Sequence, residues 1–294
     1  MNRFDPSENF TIWVPSAARK NCGGLVELKE LVALKEGRRD SGEAAGAFGG
    51  GTCATLRTKP ISDQIALVTG GGTGIGRAFA ESLATAGARV VIASRREDVL
   101  RQTADELNRS LSAQRVFACA FDIRDGMQID SLVKHIIERW QSLDVLINNS
   151  GLAVPETVDQ ITGGGWDKVM ETNLGGVMQL VRSALPHMIK NDFGDIVNVS
   201  SQAGKHGYAD VPSYCASKFG LLGYAEALRD HVRKTGANIR VFNFCPGLVD
   251  VENSAPDAKP RPGFIHVSNM ARTLIYALSL DRDVVLEDVN IYSR

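Results

Sequence analysis

The β-branched run Ile65-Ala-Leu-Val-Thr69 passes directly into Gly70-Gly-Gly-Thr-Gly-Ile-Gly76, and the residues after it read as a helix to about Ala86. Glycine reaches positive φ without steric cost and lets the main chain approach a ligand closely, while the N-terminus of the next helix offers unpaired N–H groups and a partial positive charge. The segment is therefore expected to fold as a strand, a tight loop and a helix that together cradle a pyrophosphate. The spacing Gly70-x-x-x-Gly74-x-Gly76 is not the G-x-G-x-x-G of most dinucleotide folds, and no Lys-Ser/Thr follows it as a triphosphate loop requires. ATP hydrolysis is disfavoured.

From Ile61 onward, short β-branched runs alternate with longer helical patterns. Strands are expected at 65–69, 89–93, 115–119, 144–147, 195–199, 238–244 and 289–292. Between them come a helix containing Leu132, His135, Ile136 and Trp140, then helices around 169–188, 213–232 and 270–280. Continuous apolar strands covered by helices on both faces predict an α/β domain with a doubly wound, mostly parallel sheet over 61–294.

Residues 1–60 read differently. Two short apolar clusters precede Ser41-Gly-Glu-Ala-Ala-Gly-Ala-Phe-Gly-Gly-Gly-Thr52, a composition expected to behave as a linker rather than bury a core. Leu25, Leu28, Leu31 and Val32 have helical spacing, so one short amphipathic helix is expected over 24–36, and no function is placed there.

Composition excludes several classes. Lys plus Arg total 33 against 34 for Asp plus Glu, a net charge of -1, so no bulk positive field draws in nucleic acid or anionic lipid. Cys22, Cys53, Cys119, Cys215 and Cys245 are scattered, odd in number and never C-x-x-C, which argues against a disulfide framework or a structural zinc site. His135, His187, His206, His231 and His266 show no metal-ligand spacing, and no G-x-S-x-G elbow is present. No metal is expected. No run approaches the ~18 to 20 apolar residues of a membrane helix and no secretory leader is evident at the start, so the expected compartment is the cytoplasm.

At the end of the second strand stand Ser94, Arg95 and Arg96, where a carboxylate would accept hydrogen bonds from an NAD ribose. A guanidinium there matches the 2′-phosphate of NADP bidentately. NADP(H) is the expected cofactor.

Tyr214-Cys-Ala-Ser-Lys218 places a phenol and an ammonium at i and i+4, on one helical face. A charge ~4 Å away at an effective dielectric of ~20 is worth ~4 kcal/mol, enough to pull a Tyr pKa from ~10 toward ~7. A phenol so poised is a useful general acid or base. Around this pair the chain sets Asn148-Asn-Ser-Gly151 after the fourth strand, Asn173 in the long helix, Ser200-Ser201 after the fifth strand and Pro246-Gly247 after the sixth. All fall at the carboxyl ends of strands or on adjoining helices, the rim where open α/β sheets bind ligands.

Together with Thr69-Gly-x-x-x-Gly-Ile-Gly76, this ordered set resembles the short-chain dehydrogenase/reductase family over essentially all of 61–294. The resemblance implies a Rossmann-type domain and a carbonyl/alcohol oxidoreductase. It implies that Tyr214 exchanges a proton with the substrate oxygen, that Lys218 depresses the Tyr pKa and binds the nicotinamide ribose, and that Ser201, rather than Ser200, holds the substrate oxygen. Asn173 would anchor a water chain from Lys218 to solvent, Asp122 would contact adenine, and Asn148 and Gly151 would brace the sheet beside the cofactor. Gly70, Thr73, Gly74, Ile75, Gly76, Ser94, Arg95, Pro246, Gly247 and Val249 complete the implied cofactor site. A homodimer or homotetramer through helices 165–190 and 213–232 is implied as well.

Val251 stands where many relatives carry Thr, and Thr73 where some NADP-dependent ones carry Lys or Arg. The segment 255–263 is rich in Pro and Gly, so the substrate lid is expected to be short or loose. Gln202, Tyr208, Val211 and Leu248 are expected along the substrate pocket. Cys215 reads as a small packing residue, and Met170, Met178 and Met188 as core or interface filler. The ending Ala277-Leu-Ser-Leu280 through Val289-Asn-Ile-Tyr292 looks most like short members labelled 3-oxoacyl carrier-protein reductases. An epimerase or dehydratase on the same fold and a cofactor-sensing regulatory protein are the alternatives.

Overall fold

All five residues of β1 (Ile65–Thr69) are buried, as befits a strand covered on both faces. The structure is a computed structural model that describes residues 58–252, 259 and 261–294. The helix expected over 24–36, the linker over 41–52, Cys22, Cys53 and most of segment 255–263 lie outside the described residues.

After β1 come α1 (Gly74–Thr85), β2 (Arg89–Ser94), α2 (Glu97–Leu111), β3 (Val116–Ala120), α3 (Gly126–Trp140) and β4 (Val145–Asn148). Next, α4 (Gly163–Met170), a turn of π-helix over Glu171–Gly175 and α5 (Gly176–Asn191) lead to β5 (Gly194–Val199). The chain continues with α6 (Pro212–Thr235), β6 (Ile239–Pro246), the two-residue strands β7 (Val249–Asp250) and β8 (Ile265–His266), α7 (Val267–Ser279) and β9 (Asp288–Ile291).

Seven strands pair in the order β3-β2-β1-β4-β5-β6-β9, every pairing parallel. This is the Rossmann-type, doubly wound architecture expected. One face buries Phe79 and Leu83 of α1, Leu100 and Leu107 of α2, and Met270 and Leu274 of α7. The other buries Ile129 and Ile136 of α3, Leu180 of α5 and Leu221 of α6. The chain winds from β1 out to β3 and then returns to β4 on the far side of β1. That reversal leaves a crevice at the carboxyl ends of β1 and β4.

Three features depart from the sequence reading. The helix expected over 169–188 is present, running on from α4 into α5, but it contains a π-turn over Glu171–Gly175 that carries Asn173. Such turns recur at functional sites because they redirect one side chain without ending the helix. Here Asn173 is turned inward and is 1% exposed. The other two are α2 and the β7–β8 pair, which the sequence reading does not place.

Candidate active site

The glycine loop forms one wall of a cleft of about 380 Å³ at the strand reversal. Gly70 and Gly74 adopt φ of +66° and +55°, the left-handed region that favours glycine. At Gly76 a Cβ would collide with the Gly70 carbonyl and the Asn149 side chain. Asn149 holds the loop in place, its amide donating to the carbonyls of Thr69 at 2.9 Å and Gly70 at 3.3 Å. The Thr69 hydroxyl accepts from the N–H groups of Asn149 at 2.9 Å and Ser150 at 3.0 Å, which ties the end of β1 to the end of β4. Thr73 occupies the N-cap position of α1 but its side chain caps nothing, so the first-turn N–H groups are left for an anion.

Ser94, Arg95 and Arg96 at the end of β2 also line the cleft, as do Gly151 and Leu152 after β4. Arg96 Nη2 lies 3.5 Å from Thr73 Oγ1, so a guanidinium reaches the position where Thr73 replaces a basic residue. A bare glycine cradle at a helix N-terminus with two guanidiniums lining the cleft fits the phosphates of a dinucleotide. Val251 also lines the cleft, its Cβ and Cγ1 3.2 Å from where a Cβ on Gly74 would stand. An apolar surface therefore replaces a hydroxyl beside the loop.

The structure brings Ser201, Tyr214 and Lys218 together. Ser201 opens the short 3₁₀ turn Gln202–Gly204, its hydroxyl accepting from Ala203 N–H at 3.1 Å and hydrogen-bonding the Tyr214 phenol. Ser200 is 2% exposed and faces the Lys218 carbonyl at 3.5 Å, away from that role. Lys218 is 4% exposed, and its Nζ donates to the Val199 carbonyl at 2.8 Å and lies 5.5 Å from the centre of the Tyr214 ring. Asn173 clamps the Leu152 peptide from both sides, accepting from its N–H at 2.9 Å and donating to its carbonyl at 2.8 Å. It also donates to Ser217 Oγ at 3.0 Å, and Ser217 in turn donates to the Tyr214 carbonyl at 2.7 Å.

The expected acidification of Tyr214 is not what this environment produces. Burial pushes the phenol above its usual value, and the Ser201 hydrogen bond opposes this only in part. Burial also lowers the Lys218 amine to about 8. The reason is desolvation: both groups lie in a dry site, which disfavours the charged form of each. At neutral pH the pair is therefore a neutral phenol beside an ammonium.

Burying that ammonium costs stability. Lowering the Lys218 pKa from 10.5 to about 8 corresponds to ~3 kcal/mol, present below pH 8 and relieved as pH rises from about 8 to 10.5, because the unfolded chain then binds the extra proton. Losing the Val199 hydrogen bond offsets ~1 kcal/mol. Lys218→Met should therefore melt ~4–8 °C above the parent at pH 7, with the gap closing by pH 10. Thermal melts at both pH values check this; a variant that melts lower at pH 7 contradicts it.

The remaining expected residues fall around this centre. Asn148 donates to Asn198 Oδ1 at 2.9 Å, Asn198 to Asn243 Oδ1 at 3.1 Å and Asn243 to Asp288 at 2.9 Å, a ladder across the paired registers of β4, β5, β6 and β9. Since a carboxylate only accepts, Asp288 orients all three amides head to tail, and Asn148 Oδ1 is left buried without a protein partner. The Asp122 carboxylate is engaged by Arg124 at 2.7 Å, while its neighbours Phe121 and Ile123 line the cleft. Pro246 ends β6, Gly247 N–H bonds the Ile291 carbonyl at 2.9 Å, and Val249 in β7 packs on the core.

Gln202 corrects an expectation. It does not face a pocket: it is 4% exposed, donates to the Cys245 carbonyl at 2.7 Å and accepts from the Tyr292 hydroxyl at 2.5 Å. Cys215 is buried against Tyr208, and Met188 is buried while Met178 is exposed. Asn149, Arg96, Ser217 and Glu156 carry contacts that the sequence reading did not assign. Asn149 and Arg96 stood inside the quoted motifs; Ser217 and Glu156 gave no local signal.

The model of the short chain dehydrogenase family matches residues 64–261. The chain belongs to the short-chain dehydrogenase/reductase family. It is an oxidoreductase of that family, acting on the alcohol/carbonyl pair. A sorbitol dehydrogenase of Cereibacter sphaeroides is 34% identical over 201 residues, covering 68% of this chain and 76% of that protein. The actinorhodin polyketide ketoreductase solved with NADPH superposes with a TM-score of 0.70 at 29% identity, over 79% of this chain and 96% of that one. A short-chain dehydrogenase/reductase from Burkholderia phymatum solved with NAD gives a TM-score of 0.70 at 26% identity, over 79% and 90%. Structures of this short-chain dehydrogenase/reductase family thus hold either nicotinamide cofactor.

Proposed function

We propose that the protein is an NADP(H)-dependent oxidoreductase that interconverts a carbonyl compound and a secondary alcohol, with Tyr214 as general acid and base. The observation that carries this reading is the Ser201, Tyr214 and Lys218 set beside a glycine-lined cleft. A bound nicotinamide supplies or accepts the hydride. Tyr214 gives its proton to the substrate oxygen during reduction and removes it during oxidation. Ser201, already bonded to the phenol, holds that oxygen. Lys218 stabilises the phenolate that forms and would hold the nicotinamide ribose, and Asn173, clamped on the Leu152 peptide, would anchor a water chain from Lys218 to solvent. With phenol and ammonium both protonated at neutral pH, the resting site is set for carbonyl reduction.

The preference for NADP(H) rests on Arg95 and Arg96 and on the lack of any carboxylate among the described residues lining the cleft. In this reading Asp122 would hold the adenine end, and Asn148, Gly151, Pro246, Gly247 and Val249 would support the nicotinamide end. The substrate belongs on the side of Leu248 and Tyr208, both exposed, in the manner of 3-oxoacyl reductases. The exposed Met178 of α5 and Phe219 of α6 suit assembly of a dimer or tetramer.

Loss of reduced-nicotinamide absorbance against a panel of carbonyls tests the activity, with NADPH and NADH compared. Arg95→Asp should weaken NADPH binding about 10- to 100-fold, the worth of one charge-assisted hydrogen bond, and improve NADH binding. Unchanged NADPH affinity in that variant refutes the cofactor assignment.

A further inference from the structure

Glu156 lies on the loop between β4 and α4, is 8% exposed and makes no ion pair among the described residues. A buried carboxylate is costly unless its oxygens are hydrogen-bonded. Its Oε1 accepts from the Ser213 hydroxyl at 2.5 Å, and its Oε2 lies 3.1 Å from where a Cβ on Gly165 would stand, at the start of α4. Its backbone N–H donates to the Asp210 carbonyl at 3.0 Å, tying this loop to the segment that enters α6.

Ser213 is 0% exposed, is the second residue of α6 and immediately precedes Tyr214. The helix has no cap of its own: Val211 makes no side-chain cap bond and no acidic residue stands in the first turn. Pro212 presets the first helical residue and has no N–H to satisfy, but the positive dipole end has no counter-charge within the helix. Glu156 does not cap those N–H groups; it holds the Ser213 side chain and brings a carboxylate from across the fold to that end of the helix.

We propose that Glu156 is a positioning residue for Tyr214, fixing through Ser213 the first turn of α6 and so the place where the phenol meets the substrate oxygen. This rests on the reading of Tyr214 as the proton donor. A displacement of about 1 Å at a reacting group can cost ~100-fold in rate, so the effect belongs in kcat.

The test compares Glu156→Ala, Glu156→Gln, Ser213→Ala and the double variant Glu156→Ala/Ser213→Ala in the full chain, with Tyr214→Phe alongside. The readouts are kcat, KM for the carbonyl and NADPH affinity by fluorescence. Glu156→Ala and Ser213→Ala are each expected to lower kcat by about 10- to 100-fold with NADPH affinity within about twofold. Glu156→Gln keeps an acceptor for Ser213 and should restore kcat to within about threefold of the parent. The double variant should be no worse than Glu156→Ala, because both changes break one contact. The proposal is overturned if Glu156→Ala keeps full kcat, if Gln is as poor as Ala, or if the two single losses multiply. Should Glu156→Ala fail to fold, Ser213→Ala and Glu156→Gln decide by the same criteria. An active Tyr214→Phe overturns the proposed function itself, whereas an inactive Tyr214→Phe with a fully active Glu156→Ala overturns only the role of Glu156.

Discussion

Tyr214→Phe is expected to lower carbonyl turnover by about 10²- to 10⁴-fold while binding NADPH within about twofold of the parent. The ring packs beside Lys218 whether or not it carries a hydroxyl, so the fold and the cleft should survive. What disappears is the proton that the substrate oxygen must receive and the bond that links the phenol to Ser201. The loss corresponds to ~3–5 kcal/mol of transition-state stabilisation, within the usual range for one well-placed acid. Steady-state kinetics with a titration of NADPH fluorescence measure both quantities. Equal turnover by the variant contradicts the assigned role.

Asp195→Ala is expected to destabilise the protein by ~5 kcal/mol or more. Asp195 lies on β5 and is 0% exposed, with Arg240 Nε at 2.8 Å and Arg282 Nη1 at 2.6 Å from its carboxylate. Both guanidiniums are themselves buried, Arg240 also donating to the Leu278 carbonyl at 3.1 Å and Arg282 to the Gly194 carbonyl at 2.9 Å. Removing the carboxylate that pairs with both of them leaves two cations in a dry interior. Breaking one such pair costs ~3–5 kcal/mol, and total stabilities run to only ~5–15 kcal/mol. The variant should melt at least ~10 °C lower. Urea unfolding of the two proteins checks this, and a change below about 1 kcal/mol contradicts it.

The sheet was legible because its strands are continuous β-branched runs between glycines and helices: β1 falls at 65–69, where it was expected. Helix α2 was legible but not placed: Leu100, Ala104, Leu107 and Leu111 recur at helical spacing between exposed charges. The π-turn at Asn173 accompanies a clamp on Leu152, a contact across 21 residues that no local pattern encodes. Within the candidate site, the pairing of Tyr214 with Lys218 was visible as an i, i+4 spacing. The direction of the Tyr214 shift was not, because it depends on how dry the assembled site is rather than on the spacing of two residues. Contacts between distant segments were equally hidden: Glu156 meets Ser213 across 57 residues and Asp195 meets Arg282 across 87.

The most direct test of hydride transfer is reduction of a carbonyl that the enzyme turns over, using NADPH deuterated at the transferable ring position. The expected product is an alcohol carrying one deuterium on the former carbonyl carbon. An alcohol free of label, a label retained by or returned to the cofactor as an epimerase would do, or NADPH bound without turnover of any carbonyl would contradict the account.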